Sequence, residues 1–101
     1  MMVVTGTTEE ISYKNAKVNG IIIDVGDGIL RYGHCYGNSP DVNIHDNAKT
    51  EFGATNKTGG YQSELLDLQP GVKYYVRSYI SDGRTTKYGE EKFFNTLSGG
   101  P

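Results

Sequence analysis

Residues 68–77 read Leu-Gln-Pro-Gly-Val-Lys-Tyr-Tyr-Val-Arg, a turn signal followed directly by the start of an alternating strand. The Pro-Gly pair at positions 70–71 predicts a sharp turn, because proline presets φ and glycine tolerates a positive φ. After the turn, a set of alternate residues can share one face of a strand: Tyr74, Val76, Ser78 and Ile80. A period of two is typical of a β-strand with one buried face. The stretch therefore predicts a chain reversal followed by a strand that brings Tyr74 into the core.

Similar strand signals recur on both sides of this stretch, separated by turns rich in Gly, Asn and Asp. They predict strands over residues 7–11, 15–24, 29–36, 50–54, 61–65, 74–80 and 86–96. Within 15–24, alternation places four residues on one face: Ala16, Val18, Gly20 and Ile22. No segment keeps a helical period of 3.6 residues over three turns. About seven short strands predict an all-β fold, a two-sheet antiparallel sandwich.

The composition fits one domain that folds without a disulfide or a metal. The chain has 101 residues, and its apolar fraction of 36% leaves much of the core to eight Tyr and three Phe. Its single cysteine, Cys35, cannot form an internal disulfide, and we expect it to be a semi-buried strand residue. The net charge of −2 comes without a basic stripe, which argues against nucleic acid as a partner. No apolar run approaches the roughly 20 residues that span a bilayer, so we expect no membrane insertion.

The stretch at 68–77 resembles the E–F corner of the fibronectin type III family, an immunoglobulin-like sandwich, where the pattern is Leu-x-Pro-Gly-x-x-Tyr-x-Val-Arg. The resemblance implies a tyrosine corner, with the Tyr74 ring in the core and its hydroxyl bonded to nearby backbone. Leu68, Pro70 and Gly71 complete that corner. Elementary chemistry agrees, because a buried tyrosine needs a hydroxyl partner and a corner exposes backbone groups that need one too.

A narrower resemblance is to the variant of this domain common in extracellular proteins of Bacteroidetes. Four motifs carry it: Gly-His-Cys-Tyr at 33–36, Asn-Ser-Pro at 38–40, Tyr-Tyr-Val-Arg-Ser-Tyr at 74–79 and Tyr-Gly-Glu-Glu-Lys-Phe-Phe at 88–94. Together they cover residues 9–97 in the order that the variant has them. The resemblance implies one fibronectin type III-like domain over residues 1–97, followed by a linker stub at 98–101. It also implies an extracellular, cell-surface or periplasmic location within a longer exported protein.

Two positions depart from the variant, which has apolar residues where this chain has His34 and Lys92. Each side chain is expected to lie partly buried with its polar tip in water, or to mark a surface adapted to a partner.

No pattern in the sequence indicates catalysis or a bound cofactor. His34 and His45 are too few and too far apart for a metal site, which normally needs three or four converging ligands. Residues 24–28, Asp-Val-Gly-Asp-Gly, look superficially like a calcium loop, but position 12 of that loop is Cys35 rather than Glu. We therefore interpret this segment as a hairpin turn. No nucleophile, base and orienting group can be assembled, so an enzyme is not expected.

One face of the strand at 74–80 carries Tyr75, Arg77 and Tyr79, opposite Tyr74 and Val76. In a two-sheet sandwich this face is expected to point to solvent. Exposed tyrosines can stack on sugars, and Tyr and Arg are favoured anchors for protein partners. The alternative is that the tyrosines only pack across neighbouring strands.

Two main functions are compatible with these residues. The first is a spacer or accessory module that holds neighbouring domains apart as a monomer without a ligand of its own. The second is a glycan- or protein-binding module that uses Tyr75, Arg77 and Tyr79, or the loops near Asp27 and Asp82.

Overall fold

The computed structural model describes residues 1–98, so that most of the predicted linker stub, 99–101, lies outside the described residues. The described chain forms eight strands: β1 Met2–Glu9, β2 Ala16–Asp24, β3 Arg31–Gly37, β4 Ala48–Lys49, β5 Gly59–Leu65, β6 Lys73–Ser81, β7 Thr86–Tyr88 and β8 Lys92–Asn95. Over this range, no helix is long and apolar enough to cross a membrane.

The strands form two antiparallel sheets, which confirms the predicted all-β sandwich. The first sheet has the order β1-β2-β5, and the second has the order β4-β3-β6-β7. Strand β8 also pairs with β6, along the half of that strand that β7 does not reach. The β2–β5 register runs without a break from Ala16 opposite Leu65 to Ile22 opposite Gly59.

Three predicted strands differ from the observed ones. The first strand begins at Met2 rather than at residue 7. The predicted edge strand at 50–54 is instead a two-residue strand at Ala48–Lys49, followed by isolated bridges from Phe52 and Thr55 to the β3 side of the sheet. The predicted strand at 86–96 is two strands, because Gly89 turns in against the other sheet.

The opposite sheet packs closely against the break between β7 and β8. The Thr5 hydroxyl of β1 accepts a hydrogen bond of 3.0 Å from the backbone N–H of Ser78, and Gly89 N–H donates to Ser78 O at 2.8 Å. A β-carbon at Gly89 would stand only 2.6 Å from the Thr5 backbone nitrogen. Glycine at position 89 therefore lets the two sheets approach closely at this edge.

The core lies between the sheets in two clusters. The larger cluster contains Ala16, Val18, Leu65, Leu68, Tyr74, Val76 and Phe94, and the smaller contains Val3, Ile22, Ile29 and Ile80. The alternation predicted for β2 is confirmed, because Ala16, Val18, Gly20 and Ile22 are all buried.

The turn at 25–28 forms as expected, with Gly28 N–H donating to Val25 O. It is not a hairpin, however, because it connects β2 of one sheet to β3 of the other.

The two ends of the described chain lie at opposite ends of the sandwich. The N-terminal ammonium is 3.6 Å from Asp24 Oδ2, at the last residue of β2. Leu97 N–H donates to Ser12 O at 3.1 Å, in the loop that precedes β2. The nine residues of β2 lie between these two points, and such a strand is about 30 Å long.

Candidate functional site

The corner at residues 68–74 is held by hydrogen bonds between side chains and backbone. Tyr74 is buried, and its hydroxyl oxygen accepts a hydrogen bond of 2.8 Å from Gln69 N–H. Thr96 completes the corner, because its hydroxyl donates to Gln69 O at 2.6 Å and accepts from Val72 N–H at 2.9 Å. Gly71 has a φ of 65°, which is the positive φ expected for the glycine of the Pro-Gly turn. The Tyr74 ring stacks on Phe94 with the ring centroids 5.8 Å apart.

The expected solvent-facing stripe of Tyr75, Arg77 and Tyr79 is not a continuous surface. Tyr79 is fully buried, so the expectation that this face is open to solvent is wrong at that residue. Its hydroxyl donates to Thr50 O at 2.6 Å, and burial raises the pKa of the Tyr79 phenol above its usual range. The segment after β4 covers this part of the sheet, which a local alternation pattern cannot show.

The middle of the same face is covered by a strap, which we define as residues 41–47. Val42 of the strap is fully buried, and its backbone N–H donates to Glu91 Oε2 at 3.0 Å. Arg77 Nη1 donates to Val42 O at 3.4 Å, and the Arg77 guanidinium lies over the Tyr88 ring, 5.4 Å from its centroid. Arg77, the second residue of the expected binding surface, is therefore bonded to the strap of its own chain.

What remains open on this face is an aromatic platform, which we define as Tyr75, Phe93 and Lys73. Tyr75 pairs with Phe93 across β6 and β8, and their ring centroids are 6.5 Å apart. Phe93 is 59% exposed. The Lys73 ammonium is 4.2 Å from the centroid of Phe93 and 5.1 Å from that of Tyr75, within cation–π range of both rings.

Tyr75 was predicted from the sequence as part of a binding surface, whereas Phe93 was not. The signal was present, because two adjacent phenylalanines of one strand, Phe93 and Phe94, point to opposite faces and cannot both enter the core. Phe94 is buried on the inner face, so that Phe93 lies on the outer face beside Tyr75.

His34 is fully buried between the sheets, rather than half-buried as expected. Its Nε2 is 3.0 Å from Asn19 O, and its Nδ1 is 2.6 Å from Ser63 Oγ. A carbonyl only accepts hydrogen bonds, so Nε2 carries the proton and Nδ1 accepts from the Ser63 hydroxyl. Thr50 Oγ1 lies 2.8 Å from Ser63 Oγ and extends this chain of hydrogen bonds. Burial lowers the pKa of His34 to about 4, which keeps the imidazole neutral.

The other candidate groups occupy structural positions. Cys35 is fully buried rather than semi-buried, its Sγ lies 3.8 Å from Arg77 O, and burial raises the pKa of its thiol to about 11. His45 is exposed on the strap, and Lys92 is partly exposed and pairs with Glu90 at 3.6 Å. Between residues 1 and 98, no three His, Cys, Asp or Glu side chains are placed to hold a metal ion together.

Comparisons with known proteins support the fold. No protein-family model matches the chain, and no curated protein matches it. Among solved structures, the sensor domain of the anti-sigma factor RsgI4 of Pseudobacteroides cellulosolvens is similar with a TM-score of 0.75 and 14% identity, covering 96% of this chain and 75% of that one. A shorter form of that sensor domain gives a TM-score of 0.73 at 13% identity, covering 96% and 94%. A computationally redesigned β-sandwich protein gives 0.64 at 18% identity, covering 97% and 98%. At these identities the similarity shows the fold alone.

Proposed function

We propose that this chain is a non-catalytic module of the fibronectin type III kind, within a larger extracellular or cell-surface bacterial protein. In this role it acts as a monomer and holds its neighbouring domains apart. The family assignment is supported by the division of the strands into a sheet of three and a larger second sheet, and by the hydroxyl of Tyr74 at the corner. The location is supported by the motif resemblance to the extracellular Bacteroidetes variant.

The observation that carries the spacer role is the position of the chain ends. Met1 lies beside the last residue of β2, whereas Leu97 is hydrogen-bonded next to the loop before β2. Domains attached at these two points are therefore separated by the length of the sandwich. Met2 pairs with Asp24 of β2, and Leu97 N–H is bonded to Ser12 O, so the separation is expected to be fixed rather than fluctuating.

A non-catalytic role is supported by the surroundings of the serine–histidine contact. Ser63 and His34 lie within hydrogen-bonding distance, as a nucleophile and its base would. Both are at most 1% exposed, so that a substrate has no route to the Ser63 oxygen. The pair instead connects β5 of one sheet to β3 of the other.

The spacer role can be tested by measuring the distance between the two ends in solution. Spin labels are attached at Met2→Cys and Leu97→Cys, two exposed positions, in a Cys35→Ser background that removes the native thiol. We expect a narrow distribution centred at about 30 Å or longer. A broad distribution, or a distance well under 20 Å, would contradict the proposal.

The second candidate function is binding of a glycan or protein, favoured by the aromatic platform. Two aromatic rings and a cation lie side by side on an open sheet face, and such groups can contact a sugar or a protein partner. The fold is shared with the RsgI4 sensor domain, which indicates that a sandwich of this shape serves sensing in another bacterium. Retardation of the domain in gels containing glycans tests this role, since the Tyr75→Ala/Phe93→Ala double variant should migrate unretarded in every gel.

A further inference from the structure

The aromatic platform combines two properties that together select a class of ligand. Phe93 and Tyr75 offer flat apolar ring surfaces, and Lys73 adds a positive charge directly above them. We propose that the platform binds a carboxylated polysaccharide, with sugar rings stacked on Tyr75 and Phe93 and a carboxylate paired with the Lys73 ammonium. This inference rests on the second candidate function, and it specifies the ligand of that same surface.

The shape of the platform favours a polymer of sugars over a folded protein. Protein partners bind most strongly through side chains anchored in well-packed pockets. Three grooves in the described part of the chain are lined by other residues, and neither Tyr75 nor Phe93 lines any of these three. Tyr75 and Phe93 lie on adjacent strands with their ring planes inclined by 56°, so that each ring can stack on the flat C–H face of a different pyranose of a polymer. Asn95, paired with Lys73 on the same face of the sheet, adds an exposed amide that can bond sugar hydroxyls.

The charge of the platform favours an acidic polymer over a neutral one. Of the three ion pairs recorded within residues 1–98, none involves Lys73. The Lys92 ammonium, by contrast, has Glu90 as a partner 3.6 Å away. Lys73 is exposed, and the rings beneath it hold the ammonium at the centre of the platform. A sugar ring that stacks on Phe93 displaces the ammonium from the ring face, and the flexible Lys73 side chain then pairs with the carboxylate of that sugar without any rearrangement of the sheet.

The strap limits the platform on one side. Arg77 follows Tyr75 on the same face of β6, but its Nη1 is bonded to Val42 O of the strap. The ligand is therefore expected to run across β6 and β8 near Lys73, rather than along β6 toward Tyr79. This direction distinguishes the platform from the stripe that the sequence alone predicted.

The test is calorimetric titration of the domain with polygalacturonate, a carboxylated polysaccharide, and with dextran, a neutral one. We expect measurable binding of polygalacturonate only. Phe93→Ala should weaken it about tenfold, the effect of one aromatic contact. Lys73→Gln should weaken it about threefold, and 1 M NaCl should remove the part of the affinity that Lys73 supplies.

A matched pair of control variants lies in the loop before β2. Tyr13 is 44% exposed, and the Lys14 ammonium is 5.6 Å from its ring centroid, so that this pair has the same chemistry without a second ring. Tyr13→Ala and Lys14→Gln should leave the affinity unchanged. Because Phe93 and Lys73 are exposed, their variants should unfold at nearly the wild-type urea concentration, which shows that the fold is intact.

The remaining outcomes separate failure of the ligand class from failure of the binding role. If dextran binds as tightly as polygalacturonate, the proposal of an acidic ligand is overturned, and the domain remains a glycan-binding module. Equal binding of poly-L-glutamate would show that the platform responds to negative charge alone and would overturn the polysaccharide assignment. If none of the three polymers binds, both this inference and the binding role are overturned, and the spacer role is left as the function of the domain.

Discussion

The buried His34 is expected to make the domain unstable in mild acid. The imidazole is neutral in the folded state, where burial lowers its pKa to about 4 from the ordinary value of 6.5. Between these two pH values the unfolded chain binds a proton at His34 and the folded chain does not. Stability therefore falls as the pH drops through this window, because protons favour the state that binds them.

The size of the effect follows from the two pKa values. A separation of about 2.5 pKa units corresponds to a loss of about 3 kcal/mol once the pH is well below 4. Of this, about 2 kcal/mol should already be lost between pH 7 and pH 5. The carboxyls of Asp24 and Asp82 have lowered pKa values because they accept backbone hydrogen bonds, and their effect on stability begins at more acidic pH. A measurement at pH 5 therefore isolates the histidine.

The assay is urea denaturation at pH 7 and pH 5 for the wild type, His34→Gln and His45→Gln. His45 is exposed and is the only other histidine, which makes it the matched control. The wild type and His45→Gln should lose about 2 kcal/mol between the two pH values, whereas His34→Gln should lose much less. Equal losses in all three proteins would refute the reasoning. Should His34→Gln fail to fold, an NMR titration of the single histidine in His45→Gln gives the same answer, because its signal should remain that of a neutral imidazole down to pH 5.

Three further changes test the corner at Tyr74, the thiol of Cys35 and the close contact of the two sheets at Gly89. Tyr74→Phe should cost about 1–3 kcal/mol, because Gln69 N–H loses its acceptor at the corner; a loss of only a few tenths in urea denaturation would contradict the corner assignment. Cys35→Ser should leave polysaccharide binding unchanged, since the thiol is fully buried and a ligand at the surface cannot contact it; loss of a ligand in calorimetry would show that the thiol has a function. Gly89→Ala should cost about 1–3 kcal/mol in urea denaturation, because its β-carbon would collide with Thr5. The control for that change is Gly53→Ala, whose β-carbon would meet nothing within 4 Å; equal losses would contradict the close approach of the sheets.

The fold was predictable from the sequence because it rests on local signals. The turn at residues 70–71 and the burial of alternate residues in β2 and on the inner face of β6 depend on residues close together in the chain, and each appears in the structure as predicted. The corner hydrogen bond is likewise local, because it joins Gln69 to Tyr74, only five positions apart. Local patterns of this kind are where sequence reasoning is strongest.

The surface was not predictable to the same degree, because it depends on contacts between distant parts of the chain. Tyr79 alternates as a solvent-facing residue should, yet its hydroxyl is bonded to a residue 29 positions away. His34 was expected to lie half-buried with its polar tip in water, but its two partners come from strands of the other sheet. Both outcomes depend on how loops and sheets pack together, which no pattern within one strand encodes.

The second candidate function, binding of a polysaccharide, rests on the aromatic platform as the surface that contacts the ligand. The most direct measurement is a two-dimensional ¹H–¹⁵N NMR titration of the wild-type domain with a panel of neutral and acidic polysaccharides. Binding at the platform predicts shifts confined to Lys73, Tyr75 and residues 92–95, with the amides of Tyr79 and Cys35 unchanged beneath the segments that cover them. Shifts centred on the loops at Asp27 or Asp82, or no shift with any polysaccharide, would contradict it.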